Sequence, residues 1–429
     1  MTMFSTDILA LIVFLFCIIL FVIDRLPMAT TAILGCVLMV VFNLCSFSSA
    51  FGQFASSTVI LLISIFVVSS AISETGLAGR LGSLVLNIAK NDERRIMVVA
   101  YFSAALFSMF LSNATVLAIY IPIIMGIGAR DRRIQPMNLI MPVALGCNMG
   151  GISTLVGSTQ QMTAHGLIEE AGLSWDVFSF TPFGGILITT GLLYTLFIGY
   201  PLGKRIWGGR EADPALAAHA ENRNHHREYD KKKAPMVAVI FIAMVVCYIT
   251  KIVPTAIAAS GAALLCIITG CVSQDRAVSQ INWNIVGRLG GCLGLAKALD
   301  AAGSIQRLAN FAGGILGEDF SPFLLFAIAV LAVQVFSLFI SNSTAVLVVL
   351  PIVISLAPSM GLNISSYAMG IAVGSSIGMC CPLSGSTLGI AMVAGYRFRD
   401  FLRYGLLFDI LGYLLILIFI PMLFPLVLA

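Results

Sequence analysis

The sequence predicts an all-α membrane protein built from two inverted repeats, and three observations support this fold class. Of the 429 residues, 59% are hydrophobic and 10% are charged, and the mean hydropathy is +1.01. A soluble fold has too little interior to bury that much apolar surface, so lipid must be the solvent. In addition, two long apolar runs are each broken by a polar cluster, and landmarks of the first half recur in the second half.

Apolar runs between polar breaks predict about ten membrane-crossing helices, because roughly 20 apolar residues cross a bilayer once. The candidate spans lie near residues 7–23, 28–46, 57–73, 138–164, 180–202, 235–250, 253–272, 285–300, 366–394 and 404–428. The net charge of +4 is small and confined to loops, which gives no support to a nucleic-acid partner. The ten cysteines follow no CxxC or Cys/His spacing, so neither a disulfide scaffold nor a zinc site is indicated.

Two further runs, 96–128 and 321–357, are predicted to be re-entrant hairpins. The first is interrupted by Ser112-Asn113-Ala114-Thr115 and the second by Ser341-Asn342-Ser343-Thr344. At ~1.5 Å per residue, each half of such a run is too short to cross a bilayer comfortably.

The flanking charges predict how each hairpin enters, because basic residues stay on the cytoplasmic side. Arginines flank both ends of the first run, so we expect it to enter from the cytoplasm, whereas the second run lacks them and should enter from outside. This arrangement of spans places the amino terminus outside. Of the basic residues, only Lys251 and Arg307 then lie outside and Lys297 lies within a span, while all others are cytoplasmic.

An internal repeat relates the two halves. Residues 108–123 match residues 337–352 at an offset of 229, and Gly157-Ser158-Thr159 matches Gly385-Ser386-Thr387 at an offset of 228. We therefore expect a first repeat over 1–203, a charged cytoplasmic linker over 204–234 and a second repeat over 235–429. Inverted repeats with interrupted helices are typical of secondary transporters, whose binding sites lie near the membrane midplane.

The repeated motifs suit ion binding. A hairpin tip such as Ser112-Asn113 exposes backbone N–H groups at the start of a helix, which favours an anion. Neutral oxygens favour Na⁺; they come from the carbonyls at Gly157 and Gly385 and from the side chains of Ser108, Ser112, Asn113 and Asn342.

Few carboxylates lie within the predicted spans, and Asp409 is the main exception. Proton coupling usually needs a titratable group there, so the pattern favours Na⁺ coupling over H⁺ coupling while leaving both open. Lys297 is expected to pair with Asp300 or to reach the interface, with a counter-charge for the substrate as the alternative. The four histidines, His165, His219, His225 and His226, are expected to be solvated.

The duplicated Ser-Asn tips and Gly-Ser-Thr breaks resemble the divalent anion:sodium symporter family within the ion transporter superfamily, across essentially the whole chain. The resemblance implies a homodimer with a static scaffold and a moving transport domain, an elevator mechanism, and Na⁺-coupled uptake of dicarboxylates, citrate or sulfate. By position it implies sodium ligation at Ser108, Ser112, Asn113 and Gly157, and at Ser337, Ile340, Asn342 and Gly385. The implied substrate-binding residues are Ser112, Asn113, Thr115, Ser158, Thr159, Ser341, Asn342, Thr344, Ser386 and Thr387.

The chain also departs from the family pattern. Ala114 and Ser343 occupy the usual threonine positions of the tips. Ser158-Thr159-Gln160 and Ser386-Thr387-Leu388 stand where Thr-Pro-Pro commonly follows the break. The first predicted span already belongs to the first repeat. We therefore expect that the extra N-terminal helix common in the family is absent.

The expected function is secondary active transport of a small anion across the inner membrane of a bacterium, without an organic cofactor. An oxyanion exporter and a Na⁺/H⁺ exchanger are the alternatives within transport, and a passive anion channel is the alternative from another class. An enzyme is not expected, because no Ser/His pair, paired Asp or HExxH pattern lies at membrane depth.

Overall fold

The computed structural model describes residues 6–23, 26–80, 82, 92–131, 133–207, 229–304, 307, 321–382 and 384–427. Within these ranges all regular elements are helices, and the β-type pairing is limited to an isolated bridge between Leu362 and Val427. A helix satisfies its own backbone hydrogen bonds, which lipid cannot do. The all-α prediction is confirmed.

Ten α-helices of the first half have both ends within the described residues. They are α1 (Thr6–Ile23), α2 (Met28–Val41), α3 (Phe47–Phe51), α4 (Ser57–Glu74), α5 (Glu93–Ser108), α6 (Asn113–Arg130), α7 (Pro136–Ile152), α8 (Thr159–Glu170), α9 (Thr181–Tyr194) and α10 (Tyr200–Trp207). A 3₁₀ turn over Gly52–Ala55 connects α3 to the segment before α4, and a π turn over Thr195–Gly199 joins α9 to α10.

The described part of the second half repeats this order. Its helices are α11 (Lys233–Thr250), α12 (Thr255–Ile268), α13 (Gln274–Gln280), α14 (Trp283–Ala301), α15 (Pro322–Ser337), α16 (Asn342–Met360), α17 (Ile364–Ser376), α18 (Ser386–Val393) and α19 (Phe398–Leu423). Helices α11 to α18 begin 226 to 229 residues after α1 to α8, taken in the same order. The offset that the sequence shows at two landmarks therefore extends to eight helices taken in chain order.

Four stretches of the described chain are long and apolar enough to cross a membrane: Phe47–Glu74, Thr181–Trp207, Lys233–Thr250 and Phe398–Leu423. Shorter apolar helices include α1, α2, α6, α12, α15 and α16. Many large apolar side chains point outward, and Ile252 and Ile268 are more than three-quarters exposed. Such a surface suits lipid, and the total of about ten spans stays a prediction.

Both interrupted runs form a helix, a four-residue turn and a second helix. Met109–Ser112 connects α5 to α6, and Leu338–Ser341 connects α15 to α16; the two helices of each pair contact each other. Asn113 and Asn342 are the first residues of the returning helices, so each Ser-Asn motif lies at a helix N-terminus. This is the local geometry that the polar clusters predict.

The two predicted helix breaks are confirmed. Helix α7 ends at Ile152 and α8 begins at Thr159, while α17 ends at Ser376 and α18 begins at Ser386. The second break is supported from α19, where Asp409 accepts hydrogen bonds from the backbone N–H groups of Met379 at 2.8 Å and Cys380 at 2.9 Å. Backbone exposed at a break must be satisfied by such contacts when water is excluded.

The predicted partner of Lys297 is wrong. Its Nζ lies 2.9 Å from a carboxylate oxygen of Glu170, not in a pair with Asp300. Helix α14 packs beside α8, so the ammonium reaches the carboxylate at the end of that neighbouring helix. Helical spacing predicts contacts only between neighbours on one helix, so it could not predict this contact between two helices.

His165 is not solvated, contrary to prediction. Its ring is buried, stacks on the Trp175 indole and accepts a 3.3 Å hydrogen bond at Nδ1 from the Trp175 backbone N–H. The loop after α8 folds back over the histidine, which explains its burial near a helix end. His219, His225 and His226 lie outside the described residues.

The predicted repeat boundary at residue 203 falls inside α10, which continues to Trp207. The Trp207 side chain is buried, and its Nε1 donates a 2.8 Å hydrogen bond to Asn138 Oδ1. This contact explains why the helix extends into the segment predicted as linker. Residues 208–228 of that segment lie outside the described residues.

Candidate functional site

A cavity of about 340 Å³ lies where the two hairpin tips and the two helix breaks meet. Helices α4 and α14 complete its wall, through Phe66 and Arg288 among others. Nine of the predicted site residues line it: Ser112, Asn113, Gly157, Ser158, Thr159, Ser341, Asn342, Gly385 and Thr387. Segments that are far apart in sequence thus contribute polar groups to one cavity, which is large enough for a small ligand.

The other predicted residues lie behind this lining or beside it. Ser108, Ser337 and Thr344 are buried, while Thr115 and Ile340 are partly buried near the tips. Ser386 is the first residue of α18.

The first tip is fastened by hydrogen bonds. Ser108 Oγ donates to Asn113 Oδ1 at 2.8 Å, and Asn113 Nδ2 donates to Asn148 Oδ1 at 3.5 Å. Thr154 Oγ1 donates to the carbonyl of Met109 and accepts a 3.1 Å bond from the Gly157 N–H. The tip and the first break therefore form one connected unit.

Glycines permit this close approach. A Cβ on Gly157 would lie 2.6 Å from the Gly151 carbonyl oxygen and 2.8 Å from the Ser108 carbonyl oxygen. A Cβ on Gly151 would lie 2.3 Å from Asn113 Oδ1. In the second half, a Cβ on Gly385 would meet nothing closer than Asn342 Nδ2 at 4.0 Å, so the second break is less crowded.

The second tip is bonded differently despite its similar sequence. Ser341 Oγ accepts a 3.4 Å bond from the Thr344 N–H, and Ser337 Oγ donates to the Gln334 carbonyl at 2.8 Å. Asn342 Oδ1 is buried without a hydrogen-bond partner among the described residues, as is Ser158 Oγ. Buried polar atoms are rarely left in this state, because each costs about 1–3 kcal/mol.

The sequence reasoning missed Arg288 as a site residue. Its Nη1 donates to Ser341 Oγ at 2.9 Å, and its Nη2 donates to Ser343 Oγ at 3.3 Å. Among the described residues, Arg288 is the single charged side chain that lines the cavity. A lone arginine inside the otherwise uncharged first two-thirds of α14 is the signal that could have indicated it.

Further amide and hydroxyl residues of the lining were also missed, among them Gln160, Ser376 and Asn148. Gln160 Nε2 donates to Ser376 Oγ at 2.7 Å, which joins the start of α8 to the end of α17 across the cavity. Asn148 lines the same cavity from α7. Polar side chains inside the broken spans are the signal for all three.

This lining can hold both an anion and a small cation. Two helix N-termini and one guanidinium favour negative charge. The orphaned amide oxygen of Asn342 is a hard neutral ligand of the kind that Na⁺ prefers, and the carbonyl groups at both breaks are of the same kind. Within the described ranges no three His, Cys, Asp or Glu residues come together, so the residues present there do not form a typical transition-metal site.

Comparisons with known proteins identify a family of transporters. The CitMHS citrate transporter model matches residues 18–334 and 320–429. An uncharacterized transporter of Synechocystis sp. is 32% identical over 187 residues, which cover 43% of this chain and only 30% of that protein. The human Na(+)/dicarboxylate cotransporter 3 is 21% identical over 510 aligned positions, covering 92% of this chain and 84% of the cotransporter.

A solved structure supports the fold. The crystal structure of the Alcanivorax borkumensis YdaH transporter superposes with a TM-score of 0.60 at 13% identity, covering 88% of this chain and 87% of that one. The relatives are membrane transporters, and none of those described here is an enzyme. Since the family model matches nearly the whole chain, the protein belongs to the citrate transporter family, as a divergent member of the ion transporter superfamily that contains the divalent anion:sodium symporters.

Proposed function

We propose that this chain is a secondary active transporter that carries a small di- or tricarboxylate together with Na⁺. The observation that carries the proposal is the meeting of both Ser-Asn tips and both helix breaks around one cavity that is lined, in the described chain, by Arg288 and by no carboxylate. A site of this kind stabilises negative charge from several directions at once.

Sodium fits the oxygens that lie in and behind the cavity lining. The first proposed site comprises Ser108, Ser112, Asn113 and Gly157, and the second comprises Ser337, Ile340, Asn342 and Gly385. The strongest support lies in the second site, where Asn342 Oδ1 is buried and unpartnered in the described chain. A bound cation would supply the missing partner and would offset the charge of the anion beside it.

We further propose that the chain consists of two inverted repeats, 1–203 and 235–429, joined by the linker 204–234, and that transport uses an elevator movement of a transport domain against a static scaffold domain. The support is the recurrence of eight elements in the same order and the polar contacts that join α8 to α4 and α14. Glu169 accepts hydrogen bonds from Ser57 and from Thr58 at 3.0 Å, and Glu170 pairs with Lys297. Contacts of this strength can form and break as one group of helices slides past another.

A homodimer in the bacterial inner membrane with its amino terminus outside completes the proposal. The broad apolar surface and the bacterial relatives support a membrane location, and the family resemblance supports the dimer.

The test is uptake of radiolabelled citrate, succinate and sulfate into proteoliposomes that contain the purified full chain. Each anion is offered with an inward gradient of Na⁺, of choline or of protons. We expect saturable, Na⁺-dependent uptake of a carboxylate that is lost in Asn113→Ala and Asn342→Ala but kept in Asn284→Ala, an exposed asparagine outside the cavity. Uptake that is equal in choline, that does not saturate, or that occurs with none of the three anions would contradict the proposal.

A further inference from the structure

Arg288 lies outside the hairpin and break motifs from which the site was predicted. It lies in the second turn of α14, and its guanidinium extends to the tip of the second hairpin, where it contacts Ser341 and Ser343. The same cavity contains the residues of the proposed carboxylate site. A permanent positive charge therefore lies directly in the ligand chamber.

The backbone that carries Arg288 is held firmly. Helix α14 packs so closely on α2 and α3 that a Cβ on Gly291 would lie 2.8 Å from the Ala32 Cβ, and one on Gly294 would lie 1.9 Å from the Ala50 carbonyl oxygen. Glycines on this face let the helices touch along their backbones. The arginine side chain thus extends from a fixed point into the cavity.

The partners of the guanidinium are neutral. They are two serine hydroxyls and, at 3.6 Å, the thioether sulfur of Met28. No carboxylate in the described chain forms an ion pair with Arg288. Removing a guanidinium from water is costly unless a negative group compensates it, and hydroxyls do so only weakly. Arg288 therefore has hydrogen-bond partners but no counter-charge among the described residues.

Ser343, at the second tip, helps to orient the guanidinium of Arg288. Ser343 stands where the resembled family has threonine, and its Oγ lies 3.0 Å from Thr159 Oγ1 and 3.3 Å from Arg288 Nη2. A chain of hydrogen bonds thus runs from the first break through the second tip to the guanidinium. An entering anion can take over the bonds that Arg288 now gives to the serines.

We infer that Arg288 binds a carboxylate of the substrate and makes the site select anions that carry at least two negative charges. This inference rests on the proposed function. A planar carboxylate matches the two parallel donors of a guanidinium, while the helix N-termini at Asn113 and Asn342 receive the second anionic group. A monocarboxylate can satisfy only one of these positive regions, so it binds weakly whichever one it takes.

The experiment measures Kd for succinate and butyrate, which have the same number of carbons and differ in charge, on the detergent-purified full chain with Na⁺ present. For Arg288→Gln we expect Kd for succinate to rise about 30- to 100-fold, as for a truncated charge-assisted pair, and Kd for butyrate to change less than about 3-fold. Arg288→Lys should keep the preference for succinate but lose about 10-fold in affinity, because an ammonium lacks the planar fork. Arg276→Gln, which removes an exposed arginine from α13, should bind like the wild type.

The outcomes separate this inference from the proposed function. If the wild type binds neither succinate, citrate nor sulfate, the proposed function fails. If the wild type binds succinate and Arg288→Gln keeps the same succinate-to-butyrate ratio, the inference alone fails. An equal loss for both ligands also overturns it, because that result indicates a structural role; thermal unfolding of each variant identifies the case in which the loss comes from misfolding.

Discussion

Ser108 Oγ donates a 2.8 Å hydrogen bond to Asn113 Oδ1, and the corresponding serine of the second tip, Ser337, donates to the Gln334 carbonyl instead. The two asparagines therefore differ in what binds their side-chain oxygens. Asn113 is held by protein groups, whereas the Asn342 oxygen has no partner in the described chain. We therefore expect Asn113 to contribute to stability and the oxygen of Asn342 to contribute mainly to ligand binding.

Alanine at the two asparagines should give different results. Asn113→Ala removes two hydrogen bonds and should lower the free energy of unfolding by about 1–3 kcal/mol. Asn342→Ala removes the orphaned oxygen, so we expect stability within about 1 kcal/mol of the wild type. The same variant should raise the Na⁺ concentration needed for half-maximal binding at least 10-fold. Thermal unfolding with and without Na⁺ measures both effects, and equal destabilisation by the two variants would contradict the asymmetry.

The glycines of the two breaks should also differ in their tolerance of a methyl group. Gly157→Ala drives a Cβ to within 2.8 Å of two carbonyl oxygens, so we expect at least ~2 kcal/mol of destabilisation and loss of transport. Gly385→Ala has free space and an extended φ of −166°, so it should fold normally.

Gly261→Ala is the matched control, because a Cβ there meets nothing within 4 Å in the middle of α12. It should be neutral or should stabilise the protein by up to ~1 kcal/mol, as expected for a helical glycine replaced by alanine. Melting temperatures of the three variants test the set. A Gly385→Ala protein as damaged as Gly157→Ala would show that the second break is as crowded as the first.

The hairpin tips and breaks could be predicted from sequence because each is a local signal, a polar cluster inside an apolar run, and because each occurs twice. Residues whose role depends on contacts across the chain could not. Arg288 is one of these residues, because its sequence neighbours do not indicate that Ser341 and Ser343 lie against it. The Glu170 partner of Lys297 was missed for the same reason, and His165 was misjudged because the loop that covers it carries no pattern.

The ion pair between Lys297 and Glu170 should contribute modestly to stability. The two side chains are 39% and 18% exposed, so water screens their attraction. Each of Lys297→Gln and Glu170→Gln should lower the free energy of unfolding by about 0.5–1 kcal/mol, and the double variant should cost no more than either single change. Fully additive losses in this double-mutant cycle would show that the two groups do not interact.

Asp409 should be needed for the structure of the second break and not for proton coupling. Both carboxylate oxygens accept backbone hydrogen bonds, from Met379 and Cys380. Asparagine offers one oxygen and one NH₂ group, so Asp409→Asn turns a donor toward a backbone N–H and should cost about 1–3 kcal/mol in stability.

Asp300→Asn, at an exposed aspartate near the end of α14, is the control and should be neutral. Uptake by Asp409→Asn should stay Na⁺-dependent and should fall only in proportion to the folded fraction, which size-exclusion chromatography and thermal unfolding report. If this variant folded normally and transported without any cation gradient, Asp409 would be a coupling residue. That result is not expected for a carboxylate that only supports the helix break. Loss of such a carboxylate disturbs the backbone and lowers the folded fraction, but it does not change which ion moves with the substrate.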